Sequence, residues 1–243
     1  MDILLDVHTH TVASGHAFST LQEMARAAAD KGLQILGITE HTKGIPGACS
    51  YIYFRNLPVV PRTMYGVELL LGAEINIVDY DGTLDLEEKY FRFLDIRIAG
   101  LHSLCYQPGS VEQNTSAVLG AIRNPHIDII SHPGDGTADL HFEPLVLAAK
   151  ECGVLLEINN SSLNPSRHKE KARENNLEIL RLCKRYEQPV ILGSDAHISF
   201  SIADYGWLYP LLAETDFPPS LILNDKPDLF KARLKRNREE TVS

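Results

Sequence analysis

Seven short runs rich in Ile, Val and Leu recur along the chain, and segments of helical periodicity separate them. The runs cover residues 3–9, 35–39, 66–78, 96–101, 127–131, 154–159 and 190–193. Helices are expected over 21–31, 86–93, 111–123, 144–152, 169–186 and 202–213. A regular strand–helix alternation implies parallel strands joined by crossover helices. The pattern therefore describes an α/β protein whose sheet is either closed into a barrel or doubly wound, and periodicity leaves the two open. Segment 21–31 shows why the helices form. Ser19 and Thr20 offer N-cap oxygens, and Glu23 sits in the first turn, where the helix dipole favours an anion. Leu21, Met24, Ala25 and Ala28 share one face, and Gly32 suits the left-handed stop. Segment 144–152, ending at Gly153, follows the same plan. Residues 44–65, with Pro46, Pro58 and Pro61, read as an irregular loop. The tail 217–243 carries a basic run over 231–238 and reads as a solvated final helix.

The ten histidines are not scattered with respect to these strands. His8 and His10 end the first, two residues apart, a spacing that aims both rings to one face of a strand. His16 follows in the next loop. His41 ends the second strand, Glu74 lies late in the third, His102 ends the fourth and His132 the fifth. Asp195 and His197 end the seventh, again two apart. These nine donors fall at the C-terminal ends of parallel strands, the edge on which α/β barrels and open sheets build their sites. A lone histidine is usually a hydrogen-bonded structural residue. Strand after strand ending in His, Glu or Asp would instead crowd one rim with titratable groups, which is costly unless cations hold them together. Imidazole and carboxylate without thiolate suit zinc, manganese or iron(II). Zinc takes about four ligands, so nine donors exceed one site and fit two or three ions, with Glu74 a natural bridge. His126, at the opposite edge, and His141 and His168, in polar loops, read as structural or solvated.

Composition narrows the partners. The net charge of -9 argues against a nucleic-acid surface built on bulk positive charge, yet permits phosphate substrates where metal ions supply local charge. Cys49, Cys105, Cys152 and Cys183 form no CxxC pair, so neither a disulfide framework nor a thiolate zinc site is expected. No signal peptide or apolar membrane span is visible, and a cytoplasmic protein is expected.

The set Asp6-x-His8-x-His10, Ile38-Thr-Glu-His41, Gly72-x-Glu74, Gly100-Leu-His102, Ser131-His132-Pro133 and Gly193-Ser-Asp-Ala-His197 resembles the PHP family, named for polymerase and histidinol phosphatase. Thr11-Val-Ala-Ser-x-His16, Glu157-Ile-Asn-Asn-Ser-Ser162, Asp216-Phe-Pro-Pro219 and Ile222-Leu-Asn224 are similar to its YcdX-type phosphatase branch. The resemblance runs essentially end to end. It implies a single PHP domain over 1–243, a distorted (β/α)7 TIM-like barrel, a trinuclear zinc site and phosphatase activity, with a homotrimer as a family-level expectation. His8, His10, Glu74 and Asp195 would bind the first ion; Glu74, His102 and His132 the second; His16, His41 and His197 the third. Glu40 stands where the family usually has Asp, Thr42 where Gly is common, and Ser103-Leu104-Cys105 replaces an acidic residue and proline. None of these changes removes a ligand.

The chemistry expected of such a cluster is attack of a metal-bound hydroxide on a small phosphomonoester, with Glu74 and Asp195 holding the reacting metals. Arg167 and Asn160, after the sixth strand, are candidate phosphate contacts. Asp6 and Glu40 read as carboxylates that orient a histidine from behind. Two rival readings stand beside this one. The first is a histidinol phosphatase or a phosphodiesterase or nuclease of the same family; the second is a non-catalytic metal-binding regulatory protein.

Overall fold

The computed structural model describes residues 2–234. Seven parallel strands follow the order β1 (Leu5–Asp6), β2 (Ile35–His41), β4 (Val67–Asn76), β5 (Ile96–Gly100), β6 (Ile129–Ile130), β7 (Leu155–Asn159) and β8 (Val190–Gly193). They form a distorted (β/α)7 barrel. β3 (Thr63–Met64) stands off this path and pairs antiparallel with β4 through a turn at Tyr65 and Gly66, both at positive φ. The helices are α1 (Leu21–Asp30), α2 (Tyr51–Asn56), α3 (Val111–Arg123), α4 (Phe142–Cys152), α5 (Ala172–Tyr186), α6 (Tyr209–Glu214) and α7 (Pro227–Arg233).

Local chemistry accounts for the element ends. Thr20 and Glu23 close a reciprocal capping box on α1, and Ser110 and Gln113 do the same on α3. Gly153 ends α4 in the left-handed conformation. Three expectations change. The 44–65 segment contains α2, capped by Ser50, rather than an unbroken loop. The 202–213 helix shrinks to 209–214, because Ala203 takes positive φ and its amide is tied to Asp6, while Tyr205 is buried in a turn. The 86–93 segment is a 3-10 helix over Glu88–Phe93. Of the basic run, 235–238 lies outside the described residues.

Two apolar layers result. Helices pack on the outer strand faces through residues such as Met24, Ala28, Val118, Val146, Ile179 and Leu180. Inside the barrel, Leu5, Ile35, Leu70, Ile96, Ile129, Leu155 and Ile191 meet Phe230 and Leu234 at the end of α7. These are early residues of their strands, so α7 plugs the N-terminal mouth. The seam between β1 and β8 is closed by side chains more than by a ladder. Asn224 donates to the carbonyls of Leu5 (3.1 Å) and Leu192 (2.9 Å) and accepts from the Leu192 amide. Beyond it, Thr9 bridges Ala196, and the His10 amide donates to the Ala196 carbonyl.

Candidate metal centre

The open end of the barrel gathers all nine predicted donors. His8 and His10 lie fully buried just past the regular end of β1, which stops at Asp6 rather than Thr9. His16, His41, Glu74, His102, His132, Asp195 and His197 line a cavity of about 180 Å³ above them. Glu74 is the hub. Parallel register places it beside His41 on the neighbouring strand, so both side chains point inward. Its Oε1 lies 2.8 Å from His132 Nε2 and 3.3 Å from His102 Nε2. Its Oε2 lies 3.0 Å from His41 Nδ1, 3.2 Å from His8 Nε2 and 3.5 Å from His10 Nε2. The two oxygens therefore face different histidines, as a bridging carboxylate must. Asp195 Oδ1 lies 3.3 Å from His10 Nε2 and 3.4 Å from His197 Nδ1. Three sets hold their donor atoms within 4.8 Å of one another: His8, His10 and Glu74; His41, Glu74 and His102; His10, His41 and His197. His41 is thus shared between the group around Glu74 and the outer histidines.

The hydrogen bonds behind the rings say what the cluster fits. His8 Nδ1 lies 2.7 Å from Glu157 Oε1, so in a neutral ring that nitrogen carries the proton. Ser14 Oγ gives its one proton to Glu40 and so accepts from His10 Nδ1 at 3.0 Å. When both rings are neutral, Nε2 of each presents a lone pair, and these two nitrogens are 3.1 Å apart. Without a cation between them the contact is made by a proton on His8, whose pKa burial lowers but Glu157 and Glu74 hold well above its ordinary value. The pattern repeats on the outside. His16 Nδ1 donates to the Ser14 carbonyl and His197 Nδ1 to the Asp195 carbonyl, leaving two Nε2 lone pairs 3.0 Å apart. Facing lone pairs repel unless a cation stands between them. Glu74 Oε2, His41 Nδ1 and His102 Nδ1 are also buried without a hydrogen-bond partner. An unsatisfied buried polar atom costs roughly 1–3 kcal/mol, and a cation removes that cost for several at once. A nitrogen- and carboxylate-rich donor set of this kind fits divalent zinc, manganese or iron.

The acids and imidazoles also shift one another's protonation. Burial raises the Glu74 carboxyl, but the charges of His8, His102 and His41 outweigh it and hold it well below the usual range. Asp195 is depressed in the same way, burial being overcome by His8, His10 and His197. Burial lowers His132, yet its hydrogen bond and ion pair with Glu74 carry it up to about 9. Burial and the neighbouring His41 push His10 well below its ordinary value. His132 and Asp195 also adopt positive φ, 32° and 53°. Such backbone costs about 1–3 kcal/mol per residue and concentrates at functional sites.

The supporting carboxylates act differently from one another. Glu40 orients His10 through Ser14 and also accepts from the Thr11 amide and hydroxyl. Asp6 touches no histidine ring; it accepts from the Ser194 amide and hydroxyl and the Ala203 amide, steadying the loop that carries Asp195. Glu157 and Ser14 also support the cluster, although neither ends a strand in the manner of the nine donors. A single acid in the apolar run 154–159, two residues from the inward Leu155, was the available signal for Glu157. Arg167 is exposed at the cavity mouth, and Lys169 beside it binds Asp135 and Thr137. Asn160 lies outside the cavity lining; it is buried, and its Oδ1 accepts from the Trp207 amide. His126 pairs with Glu88 and Arg97 away from the rim, and His141 with Glu112.

Comparison with known proteins agrees with this geometry. The PHP domain matches residues 6–176. A probable phosphatase of Clostridium novyi (strain NT) is 47% identical over 224 residues, covering 92% of this chain and 91% of that protein. A probable phosphatase of Acetivibrio thermocellus is 42% identical over 98% of each. Among solved structures, histidinol phosphate phosphatase from Lactococcus lactis subsp. lactis, complexed with zinc, L-histidinol and phosphate, superposes with a TM-score of 0.61 at 19% identity, covering 88% of this chain and 94% of that one. Archaeal ribonuclease P with mature tRNA contains a chain that superposes at 0.58 with 14% identity, covering 97% of this chain and 91% of that one, so the fold alone does not select a substrate. The relatives and the family match together establish that the chain belongs to the PHP-domain family.

Proposed function

We propose that this chain is a phosphatase that hydrolyses small phosphomonoesters at a cluster of about three divalent ions, preferably zinc, each with about four ligands. His8, His10, Glu74 and Asp195 hold one ion, Glu74, His102 and His132 a second, and His16, His41 and His197 a third. Manganese or iron(II) suits the same donors. The two close Nε2 pairs, His8 with His10 beside Glu74 and His16 with His197 farther out, support this reading, because neutral rings so placed need a cation between them. Bound ions supply an activated water near neutral pH and offset the charge on the phosphoryl oxygens. The protein's part is positional. Glu74 ties the ion sites together, and Glu40, through Ser14, keeps the His10 donor aimed inward. Arg167 stands at the mouth as a cation available to the substrate, whereas Asn160 shapes the turn. A 180 Å³ cavity is smaller than the roughly 300–1,000 Å³ that encloses a whole drug-sized ligand. It takes the phosphoryl group and leaves the rest of the ester outside. One domain carries the whole reaction, since the donors run from His8 to His197.

The test compares p-nitrophenyl phosphate, bis-p-nitrophenyl phosphate and histidinol phosphate on protein of measured metal content. Monoester turnover that follows metal content is expected. Turnover of the diester alone, or of no ester by fully loaded protein, overturns the reading.

A further inference from the structure

Glu157 is 1% exposed, sits inside the barrel on β7 and is absent from the cavity lining. Its two oxygens serve two different strand ends. Oε1 accepts from His8 Nδ1 at 2.7 Å, at the end of β1. Oε2 accepts from the His132 amide at 2.7 Å, just past β6, and from Asn159 Nδ2 at 3.2 Å. The His132 amide belongs to a residue in the left-handed region, so this bond pins a backbone that would relax elsewhere. The neighbouring strand makes room for the carboxylate. A Cβ on Gly193 would stand 1.6 Å from Glu157 Oε1, so β8 forgoes a side chain where Glu157 packs.

We infer that Glu157 is a positioning residue for the metal centre: it fixes the proton of His8 on Nδ1, which frees Nε2 as a donor, and holds the His132 main chain at the same time. Only a carboxylate does both, because both partners donate. The amide of glutamine has one accepting and one donating end, so Glu157→Gln leaves either the His8 or the His132 N–H facing another donor. The inference rests on the proposed metal site, and on no particular substrate.

Zinc affinity is measured by chelator competition on wild type and Glu157→Gln, with the melting temperature of the chelated proteins recorded beside it. The variant is expected to bind zinc about 10–100-fold more weakly, the range for lost outer partners of metal ligands, with the chelated melting temperature little changed. A purely structural role would move the melting temperature and leave the affinity of the folded fraction alone, which overturns the inference. Should Glu157→Gln not fold, Gly193→Ala displaces the same carboxylate and is expected to weaken zinc equally; unchanged affinity there also overturns it. A wild type that binds no zinc, manganese or iron sinks the proposed site itself, whereas tight wild-type binding with an unaffected variant sinks only the role of Glu157.

Discussion

The two ends of the barrel are built from the same strands and differ in almost everything else. At the N-terminal mouth, Leu5, Ile35, Ile96, Leu155 and Ile191 close on Phe230 as a continuous apolar plug. At the other mouth, a few residues along, Glu74, His132 and Asp195 gather in a cluster that includes partnerless buried atoms and two strained backbones. Apolar burial dominates the first end, roughly in proportion to area removed from water. The second end rests on buried ion pairs and hydrogen bonds such as His132–Glu74, and leaves polar atoms that a cation would satisfy. The difference teaches where fold and function separate in this molecule: the plugged end can hold the barrel while the open end departs from good packing rules.

Substitutions can set the two ends against each other. The largest effect is expected at the open end. His8→Ala or Asp195→Ala should abolish phosphomonoester turnover and lower the metal content, while His126→Ala, paired with Glu88 away from the rim, should do neither. If His8→Ala kept both rate and metal, the assignment of the rim would be wrong. Phe230→Ala should produce the converse. Truncating a fully buried aromatic costs about 3–5 kcal/mol, seen as a lower melting temperature, with metal content and KM of the folded protein unchanged. Arg167→Ala should raise KM by about ten-fold, as for loss of a charge-assisted hydrogen bond, without touching metal content; an unaltered KM removes Arg167 from the substrate contacts. The smallest effect is a pH dependence. His132 is raised to about 9 from an ordinary value of 6.5, so its contribution is complete below about 6.5 and disappears as pH climbs through 9. Chelated protein should therefore lose melting temperature across that interval, and zinc-loaded protein, where metal replaces the proton, should not. A flat profile for the chelated protein would contradict the His132–Glu74 pairing.

Much of the rim was legible because its signals are local: a histidine or acid at the end of an apolar run reports its own position. His41 and Glu74 sit where the run lengths placed them, and parallel register then makes them neighbours. What stayed hidden depends on contacts between distant segments. Asp6 reads as a histidine orienter from spacing, yet it grips Ser194 and Ala203, which only the closed barrel brings near. Glu157 stands out as an acid in an apolar run, but its role does not, because its partners, His8 and His132, lie 149 and 25 residues away. The helix in 44–65 was masked by three prolines flanking it, and the left-handed turn at Ala203 by a residue type that usually favours helix.

Asn224 bears on how the centre is made. Its amide, 219 residues from Leu5, joins β1 to β8. A nascent chain still leaving the ribosome cannot form this seam until residue 224 has emerged, so β1 waits unpaired on one side through nearly all of synthesis. The same seam, continued by the Thr9–Ala196 bridge, sets His8 and His10 beside Asp195. The donors of one rim are thus drawn from both ends of the chain, His8 and His10 from its start and Asp195 and His197 from near its end, and the closure of this seam sets how far apart they stand.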